Sequence, residues 1–211
     1  MSITGNQIRV LVVDDHPLLR DGVAALIANQ TDITLAAEAS TGVEAIAAFR
    51  QYRPDVTLMD LQMPGMDGVE TITAIRSEFP QARIIVLTTY AGDVLAQRAL
   101  KAGARAYILK SYVRKELLET IRSVYSGQKH IHSEVASQLA AHSGEDELSR
   151  REVEVLELIA RGNANKQVAD KLSIADETVK GHVSRILSKL GANDRTHAVM
   201  LALKRGIIQL S

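Results

Sequence analysis

The stretch VTLMDLQMPGMDG, residues 56–68, opens as an apolar run of strand character and closes as a loop rich in Gly and Met. Asp60 stands at the junction. Burying an unpaired carboxylate is costly, and two readings fit its presence there. Either the strand has ended and Asp60 opens a turn, or the strand is parallel and its carboxyl tip carries chemistry, as α/β folds arrange. The stretch alone does not decide; the rest of the chain does.

Working outward, short apolar runs alternate with amphipathic ones. Ile8–Val13, Ile33–Ala39, Val56–Met59, Arg83–Thr88 and Ala106–Leu109 have the composition of buried strands. Between and after them, Leu18–Asn29, Gly42–Tyr52, Gly68–Glu78, Gly92–Gly103 and Tyr112–Ser126 carry helical periodicity. Near-continuous apolar strands separated by helices imply a parallel sheet covered on both faces. Five such units predict a doubly wound α/β domain ending near Tyr125.

The next segment, GQKHIHSEVASQLAAHSGED, is polar and rich in small residues. It has the character of a linker with one helix over Glu134–Ala141. His130, His132 and His142 lie here, without the further ligand cluster that a metal site needs. From Leu148 onward the pattern is helical throughout. Ser149 and Glu152 have capping-box spacing at the start of Arg150–Ala160. Asn165–Leu172, Asp176–Leu190 and Asp194–Gly206 follow, giving a compact four-helix unit.

Composition narrows the function. Lys plus Arg and Asp plus Glu balance at 25 each among 211 residues. Residues 1–126 carry 13 basic and 14 acidic side chains, but residues 147–211 carry 11 basic and 8 acidic, a weak pointer to a polyanion at that end. The absence of cysteine excludes disulfides and thiolate metal sites. Two Phe and no Trp argue against stacking platforms for single-stranded nucleic acid. No run approaches the roughly 20 apolar residues of a membrane span, and MSITGNQIR lacks the apolar core of a signal peptide. A soluble, cytoplasmic protein without a membrane partner is expected.

In a parallel sheet, strand tips at one edge converge. The first strand ends in Asp14-Asp15, the third in Asp60, the fourth in Thr88 and the fifth in Lys110. Each has a plain reading: Asp15 as a helix cap, Thr88 as a satisfied hydroxyl, Lys110 as a surface charge. Together they put three carboxylates, a hydroxyl and an ammonium into one crevice. Clustered carboxylates want a cation, and oxygen ligands favour Mg²⁺. A carboxylate can then be a nucleophile toward a phosphoryl group, with metal, Lys and Thr neutralising the equatorial oxygens. Asp60 is the best nucleophile, because the MPGMDG loop beside it can adapt.

Residues 6–126 resemble the receiver domain of two-component response regulators. The resemblance rests on VVDDHP, LMDLQMPGMDG, VLTTY and AYILK, in that order and at family-like spacings. It implies a flavodoxin-like five-stranded fold and assigns Asp60 as phosphoacceptor. It also implies Mg²⁺ on Asp14, Asp15, Asp60 and the Gln62 carbonyl, phosphoryl contacts from Thr88 and Lys110, and Tyr107 as the switch aromatic. Tyr107 also fits a half-buried core ring. Met63, Pro64 and Gly68 would shape the loop. Ser111 stands where many receivers have proline.

NKQVADKLSIADETVKGHVSRILSKLG, residues 165–191, has helix-turn-helix logic. Val168, Ala169 and Leu172 form one apolar face; Val179, Val183, Ile186, Leu187 and Leu190 form the next. Thr178, Lys180, His182, Ser184, Arg185 and Lys189 remain for phosphates and base edges. A plain helical bundle fits these residues equally well. Residues 147–208 resemble a LuxR-type DNA-binding domain, and the resemblance makes those six contact candidates, with Lys166 on a phosphate. Two departures stand out: Ala175 where a capping Ser is usual, so that Asp176 would cap instead, and Gly181 inside the recognition helix.

The expectation is therefore a receiver (6–126), a linker (127–146) and an all-helical DNA-binding domain (147–211), resembling response regulators of the NarL/FixJ type. A sensor histidine kinase would phosphorylate Asp60, and a homodimer would bind double-stranded promoter DNA. An enzymatic alternative, an aspartyl-phosphate phosphatase, requires a second acid/base Asp two residues past the nucleophile, where this chain has Gln62.

Overall fold

The computed structural model describes residues 7–89, 93–133, 135–137 and 148–208. The described residues fall into two compact units, one of 7–89 with most of 96–136 and one containing 148–208, with which residues 93–95 and 137 also group.

The first unit runs β1 (Ile8–Val13), α1 (Pro17–Ala28), β2 (Ile33–Ala39), α2 (Gly42–Tyr52), β3 (Val56–Asp60), α3 (Gly68–Glu78), β4 (Ile84–Thr88), α4 (Asp93–Lys101), β5 (Ala106–Leu109), α5 (Val113–Tyr125) and β6 (His130–Ile131). All strands are parallel, in the order β2-β1-β3-β4-β5-β6. Register pairs Val12 with Leu58, Leu58 with Ile85 and Leu87 with Ile108, so apolar rows cross the sheet. Val10, Val12, Leu58, Leu87 and Ile108 pack with Val23 and Ile27 of α1 and Leu117 and Ile121 of α5. The alternate residues Leu11, Met59, Val86 and Tyr107 are equally buried, on the opposite face by the period of the strand. Each fully buried side chain of this size contributes about 1.5–3 kcal/mol.

The five expected strands are present, and β6 adds a sixth in the stretch expected to be linker. It pairs His130 with Ala106 and Ile131 with Tyr107. Residues 133 and 135–137 are helical. Most of the helix expected over Glu134–Ala141, as well as His142 and Gly92, lies outside the described residues.

Local chemistry fixes the loops beside the strand tips. The fixed φ of Pro17 opens α1 at its first position. Asp67 and Glu70 form a capping box that starts α3 immediately after the MPGM loop. Gly68 is dictated by space: a Cβ there would stand 2.1 Å from the Asp60 carbonyl oxygen and 2.6 Å from Leu61 Cα. That close approach lets the Gly68 amide donate to the Leu61 carbonyl at 3.1 Å and folds the loop against the tip of β3.

In the second unit, α6 (Arg150–Ala160), α7 (Asn165–Leu172), α8 (Asp176–Leu190) and α9 (Arg195–Arg205) surround a core of Val155, Leu156, Ile159, Val168, Val179, Ile186, Ala198 and Ala202. The Ser149–Glu152 capping box is formed as its spacing predicts. Ala175 is the N-cap of α8 and supplies no side-chain bond. Asp176 does not replace it: it takes the first helical position, with its carboxylate 3.3 Å from Lys180.

Gly68→Ala is expected to cost the receiver unit about 1–3 kcal/mol through overpacking. Gly22→Ala, where nothing lies within 4 Å of an added Cβ, is expected to gain up to about 1 kcal/mol from helix propensity. Urea titrations followed at the methyl signals of Val12 and Leu58, both in the core of this unit, check both expectations.

Candidate functional site

The sheet order reverses between β1 and β3, and such switch points open a crevice at the carboxyl edge. Asp14 follows β1, Asp60 ends β3, Thr88 ends β4 and Lys110 follows β5 in a short 3₁₀ turn. Asp14, Asp60 and Thr88 are fully buried. The sequence-predicted residues therefore meet where parallel topology requires.

The Lys110 ammonium lies 2.8 Å from Asp60 Oδ2 and 2.8 Å from Asp14 Oδ2. The first contact is a hydrogen bond from Lys110 to Asp60. The Gln62 amide donates to Asp60 Oδ1 at 3.2 Å. Burial, reinforced by the Asp14 charge, pushes the Asp60 carboxyl above its ordinary range despite the pull of Lys110. Burial alone would lower Lys110; the adjacent Asp14 and Asp60 carboxylates outweigh it and hold the ammonium above its usual value. Lys110 is thus charged at neutral pH.

A divalent cation fits this donor set. Ligand atoms from Asp14, Asp15, His16 and Asp60 all lie within 4.8 Å of one another. Asp14 Oδ2 and Asp15 Oδ1 are buried oxygens without a hydrogen bond, although Lys110 and His16 stand close to them as charged or chargeable neighbours. Three carboxylates against one ammonium leave the crevice negative, which a cation would balance.

Tyr107 is not half-buried. Its ring is enclosed among the core side chains, and its hydroxyl is hydrogen-bonded with Thr88. Burial pushes the phenol far above its ordinary range, so it titrates nowhere near neutrality.

Sequence reasoning missed two groups at this edge. The His16 ring stands 2.7 Å from Asp15 and 3.2 Å from Asp14, and its amide bonds Asp14 Oδ1 at 2.9 Å. Arg20 donates to the Asp14 carbonyl at 2.7 Å and pairs with Glu38 at 3.2 Å. The signal was adjacency for His16 and one helical turn for Arg20, both in the HPLLR run after Asp15. No cis peptide occurs among the described residues, so the Lys110–Ser111 junction is trans. His130 and His132 meet Glu116 at 3.8 Å and 3.4 Å, with the His132 ring tilted at 38° against Tyr112.

In the second unit, α7 and α8 form the expected helix-turn-helix, with Ser173 in the left-handed region at the turn. Lys166, Thr178, Lys180, Ser184 and Arg185 are exposed, and His182 is half-buried. Lys189, a contact candidate by resemblance, has a tertiary partner that the sequence did not suggest. Its ammonium lies 3.0 Å from Glu152, which is 2 % exposed, and so ties the end of α8 to the start of α6. Periodicity could not reveal this, because Glu152 lies 37 residues away. Burial alone would raise the Glu152 carboxyl; the Ser149 amide and Lys189 outweigh it and hold it below its ordinary value.

A response regulator receiver domain is matched over residues 10–122, and the luxR family of bacterial regulatory proteins over residues 146–202. The chain is 40 % identical over 207 residues to the response regulator protein VraR of Staphylococcus aureus, covering 96 % of this chain and 99 % of that one. Among solved structures, the response regulator ChrA of a haem-sensing two-component system matches with TM-score 0.58 and 34 % identity, over 97 % of this chain and all of that one. RcsB of Salmonella enterica, solved on a promoter with the phosphomimetic BeF₃⁻, matches with TM-score 0.72 and 26 % identity, over 95 % of this chain and all of that one. Among the described residues, no helix is long and apolar enough to cross a membrane.

A carboxyl depressed in the folded state contributes stability above its unfolded pKa, and that contribution fades as pH falls through the folded value. Glu152→Gln keeps the capping geometry and removes the charge. It is expected to cost the helical unit about 1–2 kcal/mol at pH 7, a difference that shrinks below the ordinary value of 4.5. Urea titrations read at the methyl signals of Val155 and Ile159 check the loss and its pH dependence.

Proposed function

The chain belongs to the response regulators that join a receiver domain to a LuxR-type DNA-binding domain, and on that premise we propose that phosphorylation of Asp60 by a sensor histidine kinase controls DNA binding by residues 147–211. The observation that carries the proposal is the Lys110 ammonium at 2.8 Å from both Asp14 and Asp60, a cation fixed beside a nucleophile at the converging strand tips.

An Asp60 oxygen attacks the phosphorus of a phosphohistidine; the O–P bond forms as the P–N bond breaks, and the released imidazole takes up a proton. Lys110 stands to follow the transferred oxygens with its ammonium. The Thr88 hydroxyl turns from Tyr107 toward the phosphoryl group, and Tyr107, losing that partner, changes its packing and serves as the switch. Asp14, Asp15, Asp60 and the Gln62 carbonyl would hold Mg²⁺, which would supply charge neutralisation at the phosphoryl oxygens. Gln62 puts no second acid/base carboxylate two residues past Asp60, so the phosphoryl group serves as a signal rather than a substrate in turnover.

The receiver would comprise residues 6–126, and residues 127–146 would link it to the output domain, with β6 tying the linker's first part to the sheet edge. Phosphorylated chains would pair as a homodimer on double-stranded promoter DNA in the cytoplasm, since two-fold proteins suit paired half-sites. Lys166 and Arg185 would meet phosphates, with Thr178, Lys180, His182 and Ser184 nearer the bases.

Acetyl phosphate with Mg²⁺ should add one phosphoryl group by intact mass and raise affinity for promoter DNA. Asp60→Asn and removal of Mg²⁺ should each abolish both effects. Equal labelling of wild type and Asp60→Asn would overturn the assignment.

A further inference from the structure

The outward face of α8 carries an acid where a polyanion is to be met. Val179 and Ile186 are buried, and Val183, Leu187 and Leu190 pack against the same core. At 100° per residue, positions 177, 181, 184 and 188 therefore point away from the core, with 180 on their flank. The Glu177 side chain is 84 % exposed and Lys180 54 % exposed. Lys180 Nζ lies 2.9 Å from Glu177 Oε2 and 3.3 Å from Asp176 Oδ2.

This arrangement is unfavourable for indiscriminate binding. Glu177 is repelled by phosphates, and the Lys180 charge is largely balanced by its two neighbours, so the pair adds little to backbone attraction. A carboxylate on such a face is compensated only where a base edge donates to it. In the major groove the exocyclic donors are cytosine N4 and adenine N6. Adenine places its N7 acceptor beside N6, which repels a carboxylate, whereas cytosine presents no acceptor there. An ammonium suits the opposite edge, guanine O6 and N7, and Lys180 has three protons to share between Glu177 and a base.

Gly181 supports the same placement. A Cβ there would meet only Arg185 Nη2, at 3.9 Å, so packing within the domain does not require glycine. The missing side chain leaves room on the outward face, one residue from Lys180, for the helix backbone to come close to bases.

We infer that Glu177 and Lys180 act as a joined acid–base reader of one C·G pair in the major groove, Glu177 accepting from cytosine N4 and Lys180 donating to the guanine. The inference rests on the DNA-binding reading of α8 and names the specificity of that site.

The test is selection of duplexes from a random pool by the full-length chain treated with acetyl phosphate and Mg²⁺, followed by affinity measurements on single-base variants. Wild type should require cytosine at one position of each half-site, with about fivefold or greater loss on replacement. Glu177→Ala should reduce that loss below about twofold and bind scrambled duplex more tightly than wild type does. Glu177→Gln should shift the preference from cytosine to adenine, the base an amide reads through N6 and N7. Because the Glu177 side chain is exposed, the variants retain the fold. An unchanged motif in Glu177→Ala, with the same preference at every position, would overturn the inference and leave the DNA-binding reading standing. A wild type that selects no motif would overturn both.

Discussion

Everything at the carboxyl edge of the sheet depends on one cation held between two buried carboxylates. Lys110 Nζ is 2.8 Å from Asp14 and 2.8 Å from Asp60, and these three residues come from the ends of β5, β1 and β3. Without the ammonium, two fully buried carboxylates would face each other, a cost that folding avoids by protonation or by recruiting a cation. The pairing also bears on the nucleophile role proposed for Asp60. Burial raises its carboxyl while Lys110 opposes that rise, so the ammonium offsets part of the cost of burying the charged form. On the proposed reading, an incoming phosphoryl group would meet a carboxylate already beside its neutralising partner.

The helical unit solves a related problem for the opposite purpose. Glu152 is buried, caps its own helix through Ser149 and receives Lys189 from the end of α8. That ion pair fixes one end of α8 against α6, while the other end presents Glu177, Lys180 and Gly181 outward. The helix thus divides its charges: the C-terminal lysine holds the scaffold, and the N-terminal pair is exposed. Each unit holds a buried carboxylate against a lysine, Asp60 with Lys110 and Glu152 with Lys189.

The sheet was legible because its strands are buried on both faces and therefore nearly continuous in apolar residues. The same reading located Asp14, Asp15, Asp60, Thr88 and Lys110, since parallel topology brings strand ends together whatever their separation in sequence. Period and composition failed where a contact is short or tertiary. β6 is two residues long and contains a histidine, too little for any alternation to register. Its place is set by pairing with Ala106 and Tyr107. Helical spacing made Lys189 a contact candidate but could not show its pairing with Glu152 on another helix. Ala175 leaves α8 without a side-chain cap, and the substitute expected from sequence, Asp176, is drawn instead toward Lys180. Tyr107 could be read as half-buried or as a switch; only the packed structure shows it enclosed and bonded with Thr88.

The central claim is that the carboxylate at the tip of β3, and no other acid of the cluster, forms the bond to phosphorus. Borohydride reduction of the freshly phosphorylated wild-type chain converts an acyl phosphate to an alcohol, and peptide mapping then locates the reduced side chain. The account predicts homoserine at position 60 alone. Homoserine at position 14 or 15, with Asp60 intact, would contradict it.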